Sequence, residues 1–161
     1  MEGLIALEYL EKGYTRNAAG KAFQAWRALT GALLALEKDK LVERLSGEEQ
    51  RRWLVEKAIP RVPSSRLKAL GQLLEEAGYQ YYGPLTDKAL DLHDYQYHGP
   101  DPAGELSKYT AREEAAKDIL YILAEIAEIV EKKLKPRLEK EGKWSKQHTD
   151  ALERLQQRLK H

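Results

Sequence analysis

The chain has no cysteine among its 161 residues. That excludes a disulfide framework, a Cys-ligated zinc site and a thiol nucleophile, and it points to a cytoplasmic chain. Long apolar runs are missing too. The longest, ILYILAEIAEIV, is interrupted by Glu125 and Glu128 and is too short to span a bilayer, so no membrane role is expected. The N-terminal MEGLIALEYLEKG opens with an acid and is amphipathic, and so does not read as a signal peptide. An excess of charge of one sign is nearly absent, since 27 Lys and Arg face 26 Asp and Glu. This balance hides a split. Between Glu75 and Glu105 seven acids meet Lys88 alone, whereas from Glu131 onward ten Lys and Arg meet five Asp and Glu. An acidic middle and a basic tail suit self-association or an acidic partner for the tail. The abundance of Glu, Lys and Arg without Cys also suits a thermophile.

What is present is mostly helical signal, with no alternating strand pattern. Residues 2–12 predict a short helix closed by Gly13. Thr15 can cap a second helix, with Ala18, Ala19, Ala22, Phe23, Trp26, Leu29, Leu33 and Leu36 at three- and four-residue spacing. Trp26 belongs to that stripe and is expected to anchor the core. Ser46 to Glu49 reads as a capping box, with Trp53 and Leu54 turned inward. Pro60 and Pro63 predict a break, and Ser64 or Ser65 a cap for a fourth helix ending at Gly78. A fifth helix follows from Pro84 to about Tyr97. Thr110 to Glu113 reads as another capping box, opening a long, centrally placed helix to about Lys135, which Pro136 bends or ends. Ser145 is expected to cap a last amphipathic helix carrying Leu152, Leu155 and Leu159. The predicted fold is an all-α up-and-down bundle of about five to seven helices. Its body spans 1–135, and 136–161 forms a basic amphipathic C-terminal helix.

The candidate chemistry lies on the fifth helix. Asp87, Asp91, Asp94 and His98 fall within a stripe about 60° wide at helical spacing. Carboxylate oxygens and an imidazole in a row suit a divalent ion, but an acidic stripe opposite an apolar one equally describes a solvated surface. His93 points between that stripe and the apolar face, beside Tyr97. Two imidazoles in a cleft can share general acid and base roles, and they can equally be a boundary residue and a helix-end residue.

The stretch ending HDYQYH, a short loop, and then TAREEAAKDILYILAEIAEIV resembles the HEPN superfamily of small helical bundles. The opening ALEYLEKGYTRNAAGKAFQAWRALTGALLALEKD resembles that of the archaeal PaREP family within it. The likeness covers roughly residues 4–134. It implies that a nuclease of this kind would carry an arginine, then a polar residue, with a histidine four to six positions beyond the arginine. Two protomers then cleave RNA across a shared cleft without metal or cofactor. Here the histidine is His98 and the polar residue Asp94, but His93 occupies the arginine position. Imidazole lacks the permanent charge and bidentate fork of arginine, so the motif is degraded, although Lys108 or Arg112 past the loop can supply charge to a nucleic acid.

The preferred expectation is a non-catalytic or weakly catalytic dimeric binding protein, with a protein or RNA partner. By analogy with other superfamily members, that partner is a nucleotidyltransferase in a toxin–antitoxin pair. The alternative is a metal-independent RNase using His93 and His98. Tyr79, Tyr81, Tyr82, Tyr95 and Tyr97 are the expected aromatic contacts of a homodimer.

Overall fold

In the computed structural model of the chain, which describes residues 1–160, every regular element is helical. Helix α1 covers Glu2–Glu11 and stops at Gly13, whose φ of 80° reverses the chain before α2, Thr15–Leu36. The α2 stripe is inward as the spacing predicts, with Ala18, Ala19, Ala22, Phe23, Trp26 and Leu33 fully buried. A short α3, Lys38–Arg44, follows that the sequence pattern did not announce.

Helix α4, Glu48–Trp53, starts from Gly47 with no side-chain capping bond, so the box expected at Ser46 does not form. Pro60 does not break the chain there. A π-helical turn, Leu54–Ala58, leads into α5, Ile59–Arg61, which contains the proline. Proline clashes with the carbonyl four residues earlier, and a widened turn relieves that clash without ending the helix. Val62 does end it, in a left-handed conformation with φ 42°. Arg27 holds this turn by donating to the carbonyls of Val62 and Arg61 at 2.7 and 2.9 Å. The same device recurs at Pro136, where the π-helical turn Val130–Leu134 carries α8 into α9, Lys135–Lys140.

A 3-10 turn at Ser64–Arg66 precedes α6, Leu67–Glu76, whose N-cap is Arg66 without a side-chain bond. Helix α7 spans Tyr82–His98 and α8 spans Arg112–Ile129. The box expected at Thr110 to Glu113 does not form: Ala111 is the N-cap and has no side-chain capping bond, and the Thr110 amide donates instead to Glu114 at 3.2 Å. Helix α10, Lys146–Leu159, is capped by Ser145 as predicted, with His148 as the reciprocal partner. The Ser145 amide donates to His148 Nδ1 at 3.0 Å, and the His148 amide donates to Ser145 Oγ at 3.3 Å.

The helices gather into two compact units, one formed by Met1–Ala25 with the chain from Lys88 onward, the other by Trp26–Asp87. In the second, Trp26 stacks on Tyr82 at 4.5 Å and donates from Nε1 to Thr86 Oγ1 at 3.0 Å. Thr30 meets the Tyr82 hydroxyl at 2.7 Å, so the polar tips of the buried aromatics are satisfied. In the first, Leu152 and Leu155 of α10 are buried, packed on α1 and α8. The apolar stripe of the tail is therefore covered within the monomer.

Candidate functional site

Helix α7 carries both histidines near its C-terminal end. Five residues apart, they stand about 140° from each other around the helix axis. One faces the packed interior and the other solvent. The His93 ring lies flat on Phe23 of α2, with centroids 4.0 Å apart and planes 20° apart. Tyr97 meets it edge-on at 5.2 Å. His93 Nδ1 is buried and has no hydrogen-bond partner among the described residues. The ring thus packs as an aromatic, and it makes no hydrogen bond to Tyr97. Asp94 and His98 are exposed, and His98 is the last residue of α7, where the helix dipole favours a cation.

The carboxylate stripe does not converge. Asp87 pairs with Lys68 at 3.0 Å, and among the described residues no three His, Asp or Glu side chains gather as a metal would require. Lys88 of α7 pairs with Asp118 of α8 at 2.7 Å, and Asp118 also accepts from the Tyr109 hydroxyl at 2.7 Å. That bond and burial raise the Tyr109 pKa far above the ordinary phenol value, with burial the larger cause.

Of the two cations expected past the loop, Lys108 is exposed. Arg112, in the first turn of α8, reaches back to the chain reversal after α1 and donates to the Gly13 carbonyl at 2.7 Å. The sequence reading missed Arg16. From the first turn of α2 it donates through Nε to the Gln96 carbonyl at 3.1 Å and through a terminal nitrogen to the Tyr97 carbonyl. A guanidinium on those carbonyls closes the C-terminal end of α7. The interacting residues are 80 positions apart in the chain, so spacing gave no sign of the contact. The one available signal was a cation in a helix first turn that holds no acid.

Three of the five tyrosines assigned to a subunit interface belong to the monomer's own core. Tyr79, Tyr82 and Tyr95 are buried, whereas Tyr81 and Tyr97 are exposed. The ring of Tyr95 packs edge-on against Tyr109 at 5.6 Å.

The family model described as the archaeal PaREP1/PaREP8 family matches residues 2–120. The chain belongs to this family. The match runs from α1 through the first half of α8 and so includes the whole of α2 and α7. No curated protein and no solved structure matches the chain. Membership in the PaREP1/PaREP8 family assigns no activity. Among the described residues no helix is long and apolar enough to cross a membrane.

Proposed function

We propose that this PaREP-family chain is a non-catalytic, HEPN-like binding protein that acts as a dimer on a protein or nucleic-acid partner. The observation that carries the reading is the packing of His93. A general base or acid must bring a ring nitrogen within about 3 Å of the proton it moves. His93 lies face to face with Phe23 and its Nδ1 is enclosed, which leaves Nε2 of a half-buried ring as its one nitrogen for such a transfer. The arginine that the superfamily's nucleases use is absent from that position, and Arg16 already donates to two main-chain carbonyls. His98 alone, exposed at a helix end, has no described partner to orient it. A nucleotidyltransferase-type component of a toxin–antitoxin pair is the protein partner that the HEPN likeness suggests.

Incubating the purified protein with mixed RNA, with and without EDTA, tests this reading. Intact RNA in both arms is the expected result. Cleavage that persists in EDTA and disappears in a folded His93→Ala/His98→Ala variant would overturn it in favour of the metal-independent RNase. Self-association rests on exposed aromatic surface, chiefly Tyr97 on α7 and Tyr121 on α8. Light scattering at tens of micromolar is expected to give twice the 18.4 kDa chain mass, and a monomer would refute the dimer.

A further inference from the structure

A cavity of about 300 Å³ opens where α2 begins, lined among others by Tyr14, Arg16, Asn17, Tyr95 and Arg112. We propose that this cavity binds a terminal phosphate, the phosphate monoester group of a small ligand or of a phosphorylated chain end. The lining holds two guanidinium groups and no carboxylate. Both arginines are fixed by bonds to main-chain carbonyls, Arg16 at the end of α7 and Arg112 at Gly13, which leaves other donors of each planar fork free and in place. The opening turn of α2 adds main-chain amides that have no intrahelical acceptor, and it carries no acidic side chain to occupy them.

The observation that points beyond helix capping is Tyr95. The residue is 1% exposed, yet its hydroxyl has no hydrogen-bond partner among the described residues. Its ring packing on Tyr109 would be served equally by phenylalanine. Arg16 and Arg112 line the same cavity as this phenol. A phenol at the cavity wall, with no protein partner for its hydroxyl and two guanidinium groups in the same lining, is complementary to an anion with several acceptor oxygens. The volume lies at the small end of ligand cavities, and the half-exposed ring of Tyr14 offers a face to whatever carries the phosphate.

This inference names a ligand chemistry for the binding reading above. It uses none of the residues whose loss the RNA-cleavage assay scores, so the two can fail separately. Calorimetry on the full chain, at ionic strength matched with chloride, provides the test. The probes are inorganic phosphate, glycerol phosphate, and one RNA oligomer with either a 5′-phosphate or a 5′-hydroxyl end. At least one phosphate probe is expected to bind. Preference for glycerol phosphate identifies a small-molecule source, and preference for the 5′-phosphorylated oligomer over its 5′-hydroxyl twin identifies a chain end. Tyr95→Phe is expected to weaken binding roughly tenfold, the usual effect of one hydrogen bond to a charged group, with the unliganded melting temperature unchanged. Arg112→Gln, which keeps a donor for Gly13, is expected to weaken it as well and serves if Tyr95→Phe does not fold. No binding of any phosphate probe at millimolar concentration would overturn the proposal. So would affinity unaffected by either substitution, or equal affinity for the two oligomers with no binding of inorganic phosphate or glycerol phosphate.

Discussion

The imidazole of His93 rests on the phenyl ring of Phe23, 4.0 Å between centroids and within 20° of parallel. Phe23 is fully buried and is the only phenylalanine in the chain, so the contact ties the polar end of α7 to the apolar stripe of α2. It gives one of the two histidines a packing contact. His98, which lacks such a contact, is left at the helix terminus in solvent.

Trp26 anchors the unit formed by Trp26–Asp87. It is wholly buried, stacked on Tyr82 and hydrogen-bonded to Thr86. Replacing it with alanine is expected to cost about 3–5 kcal/mol, the range for large aromatics in cores. Gly71 offers a subtler probe of the same packing. A Cβ there would lie 2.6 Å from Thr86 Oγ1 and 2.9 Å from Thr86 Cβ, and Thr86 is fully buried and β-branched. Gly71→Ala is therefore expected to destabilise by about 1–3 kcal/mol despite the better helix propensity of alanine. Urea unfolding of both variants checks this, and an unchanged midpoint in either would show that the packing around Thr86 is loose.

Helix α10 is part of the monomer. Leu155 is buried and lies close enough that a Cβ at Gly3 would meet it at 3.6 Å, with Leu123 of α8 at 3.4 Å. Arg158 adds an ion pair to Glu11 at 2.8 Å, which is exposed enough to contribute little. Leu155→Ala is expected to cost about 2–4 kcal/mol, whereas Arg158→Ala stays within about 1 kcal/mol. Thermal melts at one protein concentration separate the two. Equal and small losses would mean that the tail helix does not seal the core.

Much of this was legible in the chain, and the exceptions have physical causes. The stripes of α2 and α8 were readable because burial follows a 3.6-residue period. Proline misled at Pro60, because a π-helical turn absorbs the clash that would end an ordinary helix. The tyrosines could not be sorted by type. Tyr95 and Tyr97 sit two residues apart on α7, about 200° around the axis, so one is buried and the other is 62% exposed. The histidines were visible as a pair, but the surroundings of His93 depend on Phe23, 70 positions away. Arg16 was missed, and Tyr95 was assigned to a subunit interface, for the same reason, since their shared cavity exists only once α2, α7 and α8 are assembled.

The loop between α7 and α8 is organised by Asp101. Its carboxylate accepts from the amides of Leu106 at 2.7 Å and of Ser107 and Ala103 at 3.2 Å. The Leu106 amide is the largest of the causes that hold its pKa below the ordinary 3.8. A folded pKa below the unfolded one means that the contribution to stability is present above the unfolded value and is lost as pH falls through the folded one. The titration followed at the Leu106 amide by NMR is expected to have its midpoint below 3.8. Asp101→Ala at neutral pH should speed proteolysis between residues 99 and 111. A midpoint at or above the ordinary value would show that the carboxylate does not hold the loop.

The most direct test of the account is the stability of His93→Phe. Phenylalanine keeps the stacked ring on Phe23 and removes the enclosed Nδ1 that has no partner. An unpaired buried polar atom costs about 1–3 kcal/mol, and a domain of this size gains about 2–4 °C per kcal/mol. The account predicts that His93→Phe melts at the wild-type temperature or a few degrees higher and leaves RNA as intact as the wild type does. A markedly lower melting temperature, or a metal-free RNA cleavage in the wild type that this one substitution abolishes, would contradict it.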